Sequence, residues 1–315
     1  MKRTFKLGWF ILIIGLLLLV LGKIMHGSKE VSFDNWKPKV EQYATTVSKK
    51  YTKIGRFTKI DVRTTEADIE IVQGNKYAVE YVGRSNNKPS VKVEKEKLIV
   101  KQAESGFNEF HLGFSYNDDS DDVGRIVISV PQNTSLNELD AKSGGGDVKV
   151  DDQKINSLKL SSSDGDIAFT QATVAKARID VADGDVAFNE VHLGSGTISQ
   201  NDGDLVMKNG ELKQVEARNQ DGDVSYTETT LNGGRLEMQD GDFTAKQVKV
   251  RGSYSVSNSD GDNSVENSQV GGYRLTTSDG NNRLFERSSE SDLTWNNKTT
   301  DILKLSTIDG DNEVK

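Results

Sequence analysis

Ser163-Asp164-Gly165-Asp166-Ile167 returns nineteen residues later as Ala182-Asp183-Gly184-Asp185-Val186, and nineteen later again as Asp202-Gly203-Asp204-Leu205. Asp-Gly pairs begin at Asp164, Asp183, Asp202, Asp221, Asp240, Asp260, Asp279 and Asp309, with separations of 19, 19, 19, 19, 20, 19 and 30 residues. Gly144-Gly145-Gly146-Asp147 carries the series one step backward. A fixed period of this length marks coils that stack because none of them can bury a core alone. The expectation is an all-β chain, a β-helix or β-solenoid with coils of about 19 residues, preceded by an N-terminal transmembrane helix.

Alignment on the first aspartate exposes the apolar columns. Leu160, Ile179, Ile198, Ala217, Leu236, Val256, Leu275 and Leu305 stand four positions before it. Ile167, Val186, Leu205, Val224 and Phe243 follow at three positions, and Phe169, Phe188, Met207, Tyr226, Ala245, Val265 and Leu284 at five. Ten positions on come Val174, Leu193, Leu212, Leu231, Val250 and Val270. A step of two within a strand puts these side chains on one face. Two positions before the aspartate the column turns polar: Ser162, Val181, Gln200, Asn219, Met238, Asn258 and Thr277. It reads either as an axial ladder of stacked amides or as a rim position.

The turns themselves are Asp164-Gly165-Asp166, Asp183-Gly184-Asp185, Asp202-Gly203-Asp204, Asp221-Gly222-Asp223, Asp240-Gly241-Asp242 and Asp260-Gly261-Asp262. Aspartate bonds nearby backbone amides and glycine accepts positive φ, so turn formation is sufficient reason for the motif. Stacked acids repel by on the order of 1 kcal/mol per exposed pair, and calcium between coils is the alternative occupant that relieves this. The motif and its period differ from those of nine-residue calcium-binding β-rolls. Near the end the third position becomes Asn263, Asn282 and Asn312, and an insertion of about eleven residues carries Trp295. Trp295, with Arg283, Glu286, Arg287 and Glu290, is the expected cap against open-edge association.

Of 315 residues, 34% are hydrophobic, and the formal charge is −8. That balance disfavours a nucleic-acid partner. With no cysteine, disulfides and thiolate metal sites are excluded, and His26, His111 and His192 are too few for a histidine-rich metal centre. Acids on nearly every coil fit a turn rule better than one catalytic cleft, and Ser161-Ser162-Ser163 has no histidine near it to activate a nucleophile. No catalytic residue and no resident cofactor are expected.

Residues 1–27 read as a basic leader (Lys2, Arg3, Lys6) and an apolar segment meeting the lipid bilayer through residues 7–25. The charge order predicts the N-terminus inside and the rest outside. A cleaved signal peptide competes, but Lys23-Ile24-Met25-His26-Gly27 offers no small-x-small site. Residues 28–56 read as a helical connector, since Trp36, Val40, Tyr43, Val47 and Tyr51 recur at three- and four-residue steps. Residues 57–130 alternate with a period of two and form a strand-rich lead-in, followed by the regular solenoid, insertion and cap over 131–315.

Phe57-Thr58-Lys59-Ile60 and the Asp-Gly-Asp coils resemble the DUF4097 family of bacterial adhesin-like proteins, including its LiaG-like members from Gram-positive envelope-stress operons. The resemblance covers about residues 57–315. It implies a membrane-anchored, extracellular, non-enzymatic β-helical module of the cell envelope, with a cell-wall polymer or an envelope protein as partner. The alternative it leaves is a structural or regulatory envelope-stress protein.

Overall fold

The computed structural model describes residues 45–102 and 124–315 in full. Elsewhere it describes only the strands Val31–Asp34, Lys37–Val40 and Phe110–Leu112. The chain divides into two units, Met1–Thr45 with Ser105–Asp122, and Thr46–Glu104 with Val123–Lys315. In the first unit, Val31–Asp34 lies between Lys37–Val40 and Phe110–Leu112, antiparallel to both. The segment expected as the membrane span lies outside the described residues. Among the described residues, no helix is long and apolar enough to cross a membrane.

The expected helical connector holds strands instead, Val31–Asp34, Lys37–Val40 and Thr46–Tyr51, with residues 52–56 irregular. That strand pairs antiparallel with Ala78–Arg84, Val47 opposite Gly83 and Tyr51 opposite Val79. Val47 and Tyr51 pack against the core. Because residues four apart also share one face of a strand, the spacing that suggested a helix does not separate the two.

The second unit is all β and solenoid-like. Each coil supplies one strand to a 15-stranded sheet and one to a 14-stranded sheet. In the larger sheet the coils contribute Lys154–Ser162, Thr173–Asp183, His192–Leu193 with Gly196–Asp202, Glu211–Asp221, Thr230–Asp240 and Lys249–Ser257. In the smaller they contribute Ile167–Thr170, Val186–Asn189, Leu205–Lys208, Val224–Thr227, Phe243–Lys246 and Asn263–Glu266. All are parallel, and each residue pairs with its equivalent one coil on: Leu160 with Ile179, Ile179 with Ile198, Ala217 with Leu236.

Inward residues of both sheets form one core. Every side chain in the five-position column is buried, and Phe169 and Phe188 lie 5.6 Å apart between ring centroids. Two further buried columns have no simple apolar signature: Leu158, Ala177, Val215, Tyr254 and Leu303, and then Ala172, Val191, Thr229 and Val248. Gly196 and Gly234 interrupt the first and Gly210 the second. Where Gly234 and Ala245 leave room, Tyr226 and Tyr254 fill the space edge-to-face, their rings 6.4 Å apart. Burial pushes the Tyr226 hydroxyl up to about 12. At roughly 1.5–3 kcal/mol per large side chain, these columns supply most of the favourable free energy of the stack.

At both ends spatial order departs from chain order. Lys97–Lys101 and Arg125–Pro131 fill the positions between the first coil (Lys59–Arg63, Asp68–Gly74) and the antiparallel strands Ser90–Glu94 and Ala78–Arg84. Gln102 braces this end: its Oε1 accepts from the Thr65 and Ala67 amides at 3.2 and 3.4 Å, and its Nε2 donates to the Asn87 carbonyl at 3.2 Å. At the other end the last coil, Ile302–Asp309 and Asn312–Val314, is not outermost. It sits between the coil ending at Glu266 and the coil Gly272–Asp279 with Asn282–Leu284. The connecting residues return along the outside as short antiparallel strands, Arg287–Ser289 and Leu293–Trp295.

Candidate functional site

The Asp-Gly-Asp turns stack into a continuous ladder along one edge of the coils. The second aspartate, not the first, makes the ladder bond: its carboxylate accepts the backbone N–H of its equivalent in the next coil. Asp147 donates to Asp68, Asp166 to Asp147, Asp185 to Asp166 and Asp204 to Asp185, at 2.8–3.2 Å. Asp223, Asp242 and Asp262 continue it at 2.8–2.9 Å. Asp311 then donates to Asp262 at 2.8 Å and Asn281 to Asp311 at 2.7 Å, so the ladder follows space rather than chain order. Each such bond has a charged acceptor, and this class contributes about 1.5–3 kcal/mol when shielded and less when exposed. That is enough to offset the repulsion of about 1 kcal/mol between neighbouring exposed carboxylates. At the start of the ladder Asp68 is held above the usual carboxylate range by burial, although the Asp147 amide pulls the other way.

Glycine is required between the acids because the coils touch there. A Cβ at Gly222 would strike the Gly203 carbonyl, and one at Gly241 the Gly222 carbonyl; φ at these residues is +126° and +108°. The polar column beneath is buried, but it is not a ladder of side-chain amides. Its groups reach the glycine carbonyls of the preceding coil: Gln200 to Gly184 at 2.8 Å, Asn219 to Gly203 at 3.0 Å, Asn258 to Gly241 at 2.8 Å and Thr307 to Gly261 at 3.1 Å. A backbone carbonyl buried by stacking needs a donor, so this column is polar for the same reason that the turn is glycine.

A side-chain amide ladder does exist, in the column that reads as a loosening of the repeat. Asn263 Nδ2 donates to Asn312 Oδ1 and Asn312 Nδ2 to Asn282 Oδ1, both at 2.8 Å; Asn282 Nδ2 ends on the Ser291 carbonyl at 2.8 Å. All three asparagines are buried.

The opposite turn holds a second feature that no residue type announces. Asp152, Gln171, Glu190, Asn209, Glu228, Gln247 and Asn267 all have φ between 50° and 56°. Their amides extend the smaller sheet by one bond, as from Glu190 to the Lys208 carbonyl at 2.9 Å.

On the outer face of the larger sheet, charges pair across coils. Arg63 grips Asp140 with two bonds, at 2.8 and 2.7 Å, which holds that carboxyl below its ordinary range. Arg218 bonds Glu237 at 2.7 Å and lowers it likewise. Among the described residues no group of three His, Asp or Glu side chains converges as a metal site.

Trp295 stands at the outer end of the stack with Tyr273 and Phe285, their centroids 6.0–6.3 Å apart. Tyr273 is buried, while Phe285 and Trp295 are 46% and 44% exposed, so the aromatic cluster meets solvent. The nearby charged residues do not all turn toward it: Arg283 pairs with Glu313 at 3.4 Å, and Arg287 donates to the Thr294 carbonyl at 3.3 Å.

A family profile described as Toastrack DUF4097 matches residues 57–315. Similar solved structures include a candidate adhesin from Bacteroides fragilis NCTC 9343, at 15% identity over 86% of this chain and 97% of that chain, TM-score 0.38. A candidate adhesin from Parabacteroides distasonis ATCC 8503 matches at 10% identity over 86% and 98%, TM-score 0.49. A candidate lipid-binding protein from the same strain matches at 14% identity over 87% and 98%, TM-score 0.49. Comparison with curated proteins returns no match.

Proposed function

Since the chain belongs to the Toastrack DUF4097 family, we propose that it is a non-enzymatic, adhesin-like binding module of a bacterial envelope. Residues 7–25 anchor it as a single pass in the plasma membrane of a Gram-positive cell, with the basic leader inside and the coils outside. Its partner is a cell-wall polymer or another envelope protein.

One observation carries this reading: the second acid of each turn, which recurs from coil to coil, is occupied in holding the coils together. Asp166, Asp185, Asp204, Asp223 and Asp242 each accept the amide of the next coil. An acid engaged in the same way on every coil is a structural element. What remains to act on the surroundings is surface, which suits binding rather than turnover.

The test removes residues 131–315 while retaining the anchor, and measures wall-polymer retention together with the envelope-stress response. Loss of retention alone supports the binding module. A changed stress response with retention unaltered favours a structural or regulatory protein. Calcium on the ladder is tested by titration of the full chain: heat on addition, with melting lowered by a chelator, supports it, and a flat titration sinks it.

A further inference from the structure

The insertion that breaks the repeat also builds a cleft. The chain between Trp295 and Ile302 folds back over the outer face of the larger sheet and borders an open cleft of about 510 Å³ above the last coils. On its floor Arg274 and Lys304 are register partners on adjacent parallel strands, and Thr294 flanks Arg274 on its other side. Ser253 and Thr299 add hydroxyls at the wall, and Asp292 adds an acceptor.

The wall is held in place by direct bonds. Asn296 Nδ2 donates to the Gly271 carbonyl at 2.6 Å, and the Gly252 amide donates to Asp301 Oδ1 at 2.8 Å. The Gly272 amide donates to the Asp301 carbonyl at 3.0 Å. Gly271 and Gly272 leave no room for a Cβ against Thr299, Asp301 and Asn296, so the insertion seats closely only because both are glycine. A cleft fixed in this way needs little ordering when a ligand enters.

The chemistry on its surface is selective. Arg274 and Lys304 place two cations side by side, and among the described residues Asp292, at 3.3 Å from Arg274, is the one carboxylate paired with either. Both members of that pair are more than half exposed, so an incoming anion can take the place of the carboxylate. The fork of a guanidinium suits phosphate or carboxylate oxygens. Hydroxyls around it suit a polyol.

Resting on the binding-module reading, we propose that this cleft is the ligand site, and that its ligand is a hydroxyl-rich polymer unit bearing an anionic group. The anion lies between Arg274 and Lys304, and the polyol hydroxyls meet Ser253, Thr294, Thr299 and Asp292.

The test uses the full chain in detergent micelles, titrated with glycerol 3-phosphate, with glucuronate and with uncharged glycerol. Binding of one or both anions is expected, the stronger identifying phosphate or carboxylate as the source, with glycerol much weaker. The Arg274→Gln/Lys304→Gln variant is expected to bind at least tenfold more weakly at an unchanged melting temperature. Lys159 and Arg178 are also adjacent cations on this face but do not line this cleft, so Lys159→Gln/Arg178→Gln should bind as the parent does. Equal losses in the two variants, or no anion binding by the parent chain, would overturn the site. Retention of isolated wall polymer by the parent chain is measured in parallel. If the polymer is retained equally by the parent and the Arg274→Gln/Lys304→Gln variant, the binding-module reading stands and the site falls. If neither retains polymer, that reading fails as well.

Discussion

Coils between residues 148 and 246 lie in the sheets in the order in which they leave the chain, whereas the last three do not. The two regions also differ in what fills one inward column. In the middle it is Ile167, Val186, Leu205, Val224 and Phe243; at the end it is Asn263, Asn312 and Asn282 in spatial order. Apolar columns are indifferent to which coil lies above which, because any aliphatic side chain packs on any other. Short turns enforce the order in the middle. The final coil arrives after a long excursion through the cap, so connectivity constrains it less. A buried asparagine accepts only a neighbour that returns its hydrogen bond, and it thereby selects where that coil inserts. The device leaves a flaw at the seam: Asn263 Oδ1, in register with Phe243, has no partner.

The largest effect should come from breaking the feature that both regions share. Gly222→Ala places a Cβ against the Gly203 carbonyl at a φ of +126°, and is expected to cost about 4 kcal/mol. Gly252 also has positive φ, +71°, but its nearest neighbouring atom is 3.9 Å away. Gly252→Ala should therefore cost only the backbone strain, about 1–2 kcal/mol. Denaturant midpoints of the two variants measure the difference. Equal losses would mean that coil contact at the glycines contributes nothing.

Next in size is the asparagine ladder. Asn312→Leu strips a partner from both Asn263 and Asn282, and should destabilise by about 2–4 kcal/mol. The buried Asn263 amide, having lost Asn312, keeps only its longer bond to the Ser306 carbonyl at 3.4 Å. Adding Asn263→Leu removes that amide and matches leucine to leucine beside Phe243, so the double variant should recover part of that loss. A double-mutant cycle with no coupling would show that the three amides act independently.

The charged outer face should contribute less. Removing the Arg63 partner, as in Arg63→Met, is expected to cost about 1 kcal/mol at neutral pH, the pair being partly exposed. Asp140 has its pKa lowered by Arg63, so the stabilisation is present above the unfolded carboxylate value of about 3.9 and is lost as pH falls through the lower folded value. Stability curves of parent and variant should converge below about pH 4. On the ladder, Asp204→Ala should cost about 1 kcal/mol, whereas Asp204→Asn keeps an acceptor oxygen and should cost less. Asn281 occupies the equivalent position at the end of the ladder, where its backbone N–H donates to the Asp311 carboxylate, so the turn itself tolerates an amide side chain.

What the sequence made legible follows the size of the energies involved. The coil period, the columns through Leu160, Ile167, Phe169 and Val174, and the glycine turns all rest on burial or steric exclusion, which restricts residue type severely. The polar column at Gln200 and Asn219 was visible, but its partners were not, because a buried carbonyl in another coil leaves no trace in local spacing. Insertion of the last coil was hidden for a related reason: Leu303, Leu305 and Val314 carry the ordinary pattern, and only the matching of Asn263, Asn312 and Asn282 distinguishes their place. Thr46–Tyr51 was misread as helix because four-residue spacing fits both periods. The cleft over Arg274 depends on how residues 296–301 fold back, and no motif encodes that.

The smallest effect concerns a column the residue types conceal altogether, and it bears on why the two turns of a coil differ. Glu228 holds φ at 50° with its side chain exposed, a conformation that costs a non-glycine residue roughly 1–2 kcal/mol. Its equivalents are Gln, Glu, Asn and Asp rather than Gly because no neighbouring carbonyl excludes a Cβ at this turn. Only backbone conformation is at stake, and polar residues tolerate it. Glu228→Gly relieves the strain but raises the freedom of the unfolded chain by about 0.5–1 kcal/mol, so the net gain should stay below about 1 kcal/mol. Glu228→Val places a β-branched side chain in the same conformation and should lose about 1–2 kcal/mol. Opposite signs for glycine and valine at residue 228, beside the severe loss for Gly222→Ala in the same coil, would separate a turn governed by dihedral preference from one governed by contact between coils. A stabilised Glu228→Val variant would remove that distinction.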